Sequence, residues 1–530
     1  MGRARRVTPA PSRSDLVRTL DERFDVLVIG GGATGVGAAL DAASRGYRTA
    51  LVEASDFAKA TSSRSTKLVH GGVRYLQSGD IGLVREALHE RGNMRANAPH
   101  LVDELAFVLP LYAWYEGPYY FAGLKAYDLL AGNANFAPSA YLGKAATLQR
   151  TPDVKRAALA GSIRYFDGQF DDARLALAIA RTAIDKGATV LNYVRATRFL
   201  YESERCIGAA VRDEETGEER EVRAAVVVNA TGIFVDELRR TDDASALPLL
   251  THSRGSHVVF SKQVFSGNDA LIVPRTSDGR VLFAVPWHGH VVVGTTDIPV
   301  SSAELDVAPT SEEIDFIIGQ FNRYLEKPVR RADALAAFAG IRPLVSGAGA
   351  STAKLSREHL VDVSRSGIVT ITGGKWTTYR KMAQDAIDIA AREGKLAAAP
   401  CVTADLPVHG SPGTKNPTPE DAPYAAYGTD RDALLSLERA EPSLAERLDP
   451  RLPYTGAVVV YAARAEHART VDDVLARRTR ALFTDVAAAR ASAPLVAQLL
   501  ARELGRDDEW RRDQCAAFGA IAREDAAAFA

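Results

Sequence analysis

Apolar and polar positions change period several times along the chain, and each change marks an element. The run FDVLVIG, from Phe24, keeps β-branched and apolar residues together and stops at glycine. That predicts a short buried strand. GGATGVGAALDAASRG predicts a turn and a helix with small residues on its packing face, and YRTALVEAS predicts a second buried strand. Strand, turn, helix and strand in that order form a βαβ unit, which requires a parallel sheet. Residues 187–235 predict several strands, with EETGEE as a hairpin turn carrying Gly217 at its tip and AAVVVNATG as another apolar strand. Residues 250–300 alternate (HVVF, LIVP, VLFAVPW, HVVVGTTD) and predict antiparallel strands, while 311–330 and 376–396 predict helices.

Breaks in the pattern divide the chain. Arg, Ser and Pro punctuate residues 1–23, which predicts a flexible basic tail. Residues 409–428 are rich in Pro and Gly without periodicity and predict a linker. Residues 429–530 are helical in pattern and predict a separate C-terminal domain, with VVVY at 458–461 as its one strand candidate. The charge of −1 over 530 residues argues against a dedicated nucleic-acid binder. Cys206, Cys401 and Cys515 are few, distant and odd in number, with no CxxC and no metal-ligand spacing, so a reducing compartment is expected and no metal. The basic N-terminal segment has no apolar run behind it, so no secretory signal is expected. No stretch reaches the roughly 18 apolar residues of a membrane span, so any membrane contact is expected to be peripheral.

Chemistry enters with the first turn. Gly30, Gly32 and Gly35 form G-x-G-x-x-G between strand and helix. The first glycine permits the tight turn, the second lets a pyrophosphate approach the backbone, and the third lets helix and strand pack closely. Glu53 ends the second strand, where a carboxylate accepts hydrogen bonds from a ribose 2′-hydroxyl. One βα unit is followed by polar, loop-like sequence, and VVVNATG returns two hundred residues later. That arrangement favours extended FAD over NAD.

ATSSRSTKLVHGGVRYLQ at 60–77, NATG at 229–232, GTTD at 294–297, AGIRPL at 339–344, TGGKWTTYR at 372–380 and ARRTRALF at 476–483 together resemble the FAD-dependent glycerol-3-phosphate dehydrogenase family. The resemblance runs from residue 24 to about 525. It implies an α/β fold: a Rossmann-like FAD-binding domain (parts about 24–100, 160–240 and 340–400) interleaved with an antiparallel-sheet substrate domain (about 101–159 and 241–339), plus a C-terminal all-helical domain. It implies oxidation of sn-glycerol 3-phosphate to dihydroxyacetone phosphate, with FAD taking the hydride and a membrane quinone taking the electrons. It also implies a homodimer on the inner face of the cytoplasmic membrane. A glycerol-3-phosphate oxidase passing electrons to oxygen is the alternative, disfavoured because no large mid-chain insertion is present.

The resemblance also assigns roles. Arg342, Lys375, Arg74 and Arg357 are the cations expected for the phosphate, with Tyr75 as a phenolic donor. His257, in RGSHVVF, is the candidate acceptor for the C2 hydroxyl proton, because a group that titrates near neutrality suits that task. Thr61, Ser62 and Ser63 are expected near the pyrophosphate, and Lys67, Leu68, His70 and Gly71 around the isoalloxazine. Val194 is expected to read adenine through its backbone. Gly232, Gly373 and Gly374 are expected to let the backbone approach the cofactor. The aromatic stretch 114–132 is either an interfacial surface or packed structure.

Overall fold

Strand Arg23–Ile29 runs into helix Ala33–Ser44 and out to strand Thr49–Val52, and the two strands pair in parallel from Val26 against Thr49 to Ile29 against Val52. The computed structural model describes residues 12–72, 80–113, 115–346, 359–412 and 424–529. Arg23–Ile29 lies at the centre of an eight-stranded sheet. Thr49–Val52 and Thr189–Leu191 flank it on one side, and Glu219–Asn229 and Val369–Gly373 on the other, all parallel. The hairpin at Gly217 joins Arg205–Asp213 to Glu219–Asn229, and φ of Gly217 is 74°. Helices Ala33–Ser44, Asp172–Asp185 and Tyr379–Glu393 cover one face with alanine and branched side chains. Strand order reverses beside Arg23–Ile29, and in such sheets a crevice opens at the carboxyl ends of the strands.

A second, ten-stranded sheet is mostly antiparallel and holds the alternating segments of residues 250–300. Gly161–Phe170 pairs along its length with Val102–Leu111 in this second sheet. The expected division, which placed 160–240 with the nucleotide sheet, is therefore displaced at its start. Leu68–Val69 also pairs here, against Gly168 and Gln169. Alternation divides the faces of this sheet. Val258, Phe260, Val291, Val293 and Ala337 pack on helix Ser311–Asn322, whereas Val259, Val292, Ala336 and Phe338 pack on the C-terminal helices. That period of two is what a sheet buried on both faces requires.

Three expectations are corrected. Residues 13–19 form a helix capped by Ser12, and Val17 and Leu20 enter the core of the nucleotide sheet, so residues 12–23 belong to the fold and are not a flexible tail. VVVY at 458–461 lies within helix Gly456–Ala465, because an apolar run that short fits either period. The C-terminal unit is helical as expected, but it is not separate. It shares a core with the ten-stranded sheet, and it sends Arg477, Arg478 and Arg480 wholly into the interior. Arg477 and Arg478 both pair with the buried carboxylate of Asp56, in the turn after Thr49–Val52. Burial pushes the Asp56 carboxyl up, but the charges of Arg478 and Arg477 more than offset this and hold it below its ordinary value.

Removing one member of a buried ion pair strands the other charge without water, at about 3–5 kcal/mol. Asp56→Ala should lower unfolding stability by about that amount in urea titration. A loss below about 1 kcal/mol, the worth of an exposed pair, would show that Asp472 and Asp473, which also pair with Arg477, suffice to hold the buried charge.

Candidate functional site

A cavity of about 570 Å³ opens at the carboxyl ends of four parallel strands, lined by Gly30 and Gly32, Glu53, Gly232, and Gly373 to Lys375. From Glu53 to Gly373 the cleft crosses three inter-strand spacings, about 14 Å. Gly30 takes φ 112°, and a Cβ there would press on Ala230 O at 2.5 Å. A Cβ on Gly35 would overlap the Gly30 carbonyl, so this glycine works beneath the cleft, letting the helix meet the strand. Thr61 and Ser62 line the wall. Ser62 Oγ accepts from Ala33 N at 2.9 Å, and Ser62 O accepts from Trp376 Nε1 at 2.8 Å, which ties this loop to both cofactor-side helices.

Glu53 accepts N–H bonds from Gly31 at 2.6 Å and Ser55 at 2.8 Å. Burial pushes its carboxyl up, against those two bonds. A carboxylate has about four acceptor sites, so lone pairs remain for a ribose diol. Val194 does not line the cavity. Its N–H is spent on Glu53 O at 2.8 Å and its side chain is in the core, while Arg195 and Ala196 face the cleft instead. The cleft thus offers a carboxylate at one end, a glycine turn in the middle and a glycine–lysine loop at the other. That is the cradle an extended dinucleotide needs.

The loop after Ser62 turns inward. Ser63 is buried, and its carbonyl accepts from Lys67 Nζ at 2.7 Å. Lys67 is fully buried and also pairs with Asp172 at 2.8 Å, so its ammonium does not reach the cleft. Burial and then the Arg480 charge press its pKa down to about 7, with Asp172 pulling the other way. Leu68 sits in the core of the second sheet. His70 exchanges backbone bonds with Thr377 Oγ1, each at 3.3 Å, and Gly71 N donates to Tyr127 OH at 2.8 Å. Lys67, Leu68, His70 and Gly71 do not line the cavity. Arg74, Tyr75 and Arg357 lie outside the described residues.

His257 and Arg342 share one face of the second sheet; Arg342 lines the cavity, whereas His257 is buried and does not. Their strands, Leu250–Ser261 and Ala334–Val345, pair so that Ser253 opposes Arg342 and His257 opposes Phe338. Residues two apart share a face, so His257, Gly255, Phe338 and Arg342 point the same way. The Arg342 guanidinium crosses Gly255, where any Cβ would overlap it, and a Cβ on Gly294 would overlap the His257 ring. Arg342 Nη2 donates to Thr295 Oγ1 at 2.8 Å, and its Nη1 lies 3.5 Å from Asp297 Oδ1. His257 stacks on Phe338 at 4.8 Å, and its Nε2 is 2.9 Å from Thr66 Oγ1. Burial, then the charges of Lys67 and Arg342, hold the imidazole well below its ordinary value, so the ring is neutral.

Residues 25–380 match the family model for FAD dependent oxidoreductases, and 401–511 match that for the C-terminal domain of alpha-glycerophosphate oxidase. The mitochondrial glycerol-3-phosphate dehydrogenase of Mus musculus is 42% identical, covering 93% of this chain and 72% of the mouse protein. This chain belongs to the FAD-dependent glycerol-3-phosphate dehydrogenase family. The Arabidopsis thaliana mitochondrial glycerol-3-phosphate dehydrogenase is 40% identical over 93% of this chain and 86% of its own. The glycerol-3-phosphate dehydrogenase of Bacillus halodurans, solved in complex with FAD, superposes with a TM-score of 0.79 at 28% identity over 97% of each chain. FAD is therefore the cofactor of this chain.

Sequence reading named the cleft glycines, Glu53, Thr61, Ser62, Arg342 and Lys375, which the structure places along the cavity. It missed Gly255 and Gly294, which clear the floor, and Thr295 and Asp297, which aim Arg342. Both missed pairs fall inside the motifs RGSH and GTTD. Among the described residues no His, Cys, Asp and Glu group could hold a metal ion.

Two substitutions separate the halves of the site. Gly35→Ala should purify with most of its flavin lost, read from the flavin-to-protein absorbance ratio. Gly255→Ala should keep its flavin but raise KM at least tenfold, about 1.4 kcal/mol of binding, because it displaces Arg342. A flavin-loaded Gly35→Ala would show that helix and strand can separate without harm to the cleft.

Proposed function

We propose that this dehydrogenase oxidises sn-glycerol 3-phosphate to dihydroxyacetone phosphate on the floor formed by Arg342 and His257, and passes the electrons to a membrane quinone. The observation that carries the reading is that the guanidinium of Arg342, which lines the cleft, and the neutral imidazole of His257 share one sheet face. FAD, when bound, supplies the acceptor for the hydride leaving C2. The chain's own groups do the rest. Arg342 is held by Thr295 and Asp297 in one orientation, so its fork is set before a phosphate arrives. Lys375, Arg74 and Arg357 add positive charge in this reading, and Tyr75 adds a donor.

His257 has one nitrogen engaged by Thr66, while Nδ1 is buried with no hydrogen-bond partner. In the tautomer that donates from Nε2, Nδ1 is a lone pair for the C2 hydroxyl proton. Burial comes first among the causes of its weak basicity, and the Arg342 charge contributes. A phosphate dianion seated on Arg342 offsets that charge, so substrate binding itself strengthens the base. Phe338 and the surrounding core exclude water from the imidazole.

Membrane attachment has its own support. Helix Glu116–Ala131 buries only Leu124, Tyr127 and Ala131, one stripe at helical spacing. Its other side presents Tyr119 and Leu129, with Tyr115 just before it, at 63%, 83% and 63% exposure. Rings with a wet tip and an apolar body suit the headgroup layer. Among the described residues no helix is long and apolar enough to cross a membrane. We read this helix as lying in the interface, with the protein a homodimer on the inner face of the cytoplasmic membrane.

Anaerobic addition of glycerol 3-phosphate should bleach the flavin, and a soluble quinone analogue should restore it faster than oxygen does. Faster reoxidation by oxygen, with peroxide formed, would make the protein an oxidase. Arg342→Ala should lose about 2–4 kcal/mol of charge-assisted binding, a KM raised roughly thirty-fold or more. An unchanged KM would remove Arg342 from the phosphate site. Tyr119→Ser with Leu129→Ser should reduce co-sedimentation with anionic vesicles and leave flavin bleaching intact.

A further inference from the structure

The segment Asp473–Phe483 enters the interior on a π-helical turn followed by Arg480 in the left-handed region, φ 61°. Such turns cost backbone energy and persist where the surroundings demand them. Here they deliver one side chain to a particular place. Arg480 Nη2 donates to Ser63 O at 2.6 Å and to Asp172 Oδ1 at 2.9 Å, while Nη1 returns to Ala476 O at 2.7 Å. Its guanidinium lies 5.0 Å from the Phe483 ring centre and 5.4 Å from that of Trp287.

Both groups that Arg480 grips belong to the cofactor loop or hold it. Asp172 Oδ2 accepts from Ser65 N at 3.1 Å, Ser65 Oγ at 2.7 Å and Lys67 Nζ at 2.8 Å. Ser63 O also accepts from Lys67. Loop 61–67 is therefore clamped at Ser63, Ser65 and Lys67. Its near end, Thr61 and Ser62, lines the FAD cleft. Its far end, Thr66, holds Nε2 of His257.

We propose that Arg480 is a positioning residue through which the C-terminal helical unit sets the cofactor loop, so that this unit controls FAD binding and the placement of His257 without touching either. The proposal rests on FAD occupying the cleft. Any effect of docking on FAD affinity must be returned as an effect of FAD on docking, and FAD should stabilise the native fold according to its affinity. Lysine at 480 would keep a charge near Ser63 and Asp172, but it has no second nitrogen to bond Ala476 O while doing so.

The test uses the full-length chain stripped of flavin and titrated with FAD, binding being followed by flavin fluorescence and by the rise in Tm. Arg480→Met should weaken FAD binding at least tenfold and shrink the FAD-induced rise in Tm. Arg480→Lys should recover part of both. With flavin restored at saturating FAD, Arg480→Met should still lower kcat more than it raises KM, because Thr66 no longer fixes His257 against a phosphate site that is unchanged. Leu500→Ala is the control: it opens a cavity in the C-terminal core, which destabilises the fold, and Leu500 is buried there away from the loop. It should lower Tm with FAD affinity within twofold of the parent. If Arg480→Met does not fold, Arg480→Lys and Asp172→Asn carry the same comparison. Unchanged FAD affinity in the folded Arg480 or Asp172 variants, or an equal loss in Leu500→Ala, would overturn the proposal. Failure of the parent chain itself to bind FAD would instead overturn the cofactor assignment.

Discussion

Asp172 carries a charge with no surface exposed to water, and most of the molecule is arranged around that fact. A lone buried carboxylate costs several kcal/mol, so it must be met from several directions. The donors come from Ala173, Ser65, Lys67 and Arg480, which lie in three distant parts of the chain. The helix that opens at Asp172 adds its own positive end. The carboxylate therefore binds the cofactor loop, a central helix of the nucleotide sheet and the C-terminal unit at one point. None of the three can shift without exposing the others to an unpaired charge.

Asp56 repeats the device one turn away, with Arg477 and Arg478 as partners. Arginine suits these places because its planar fork meets two acceptors and its charge is not lost on burial, whereas Lys67 beside them is pressed down to about 7. The near balance of 65 basic and 66 acidic residues thus includes a set of internal pairs that have nothing to do with solubility. Arg342 and Lys375 are among the cations that line the cleft.

Period and punctuation made the βαβ unit, the Gly217 hairpin and the antiparallel strands of 250–300 legible, since each depends on near neighbours. Helix 13–19 was not legible, because seven mostly polar residues resemble a tail until Val17 and Leu20 find a core elsewhere. The run VVVY fits a strand or a helix equally until its neighbours pack. Nothing local in ARRTRALF shows that Arg477, Arg478 and Arg480 turn inward, and only the distant carboxylates explain their burial. Of the site, the first glycines and Glu53 could be read because they fall at fixed spacings within one βαβ unit. Gly255 could not, because its reason lies across the sheet in the Arg342 side chain. Val194 does not line the cleft, and its N–H is taken by Glu53 O, a pairing that the sequence alone does not display.

Register also joins the site to the fold. Leu250–Ser261 pairs with Ala334–Val345 from Leu250 against Val345 to Phe260 against Ala334, with one irregularity between Val259 and Phe260. A slip of one residue would send every side chain to the opposite face. His257 would then point at helix Ser311–Asn322 and Val258 at the cleft. Phe338, which packs on both His257 and Phe483, blocks that slip from the C-terminal side. The helical unit that grips the cofactor loop through Arg480 therefore also guards the strand register that aims His257. A single docked element restrains the floor and the wall of the same site, which is why a segment that lines none of the cavity is built into its geometry.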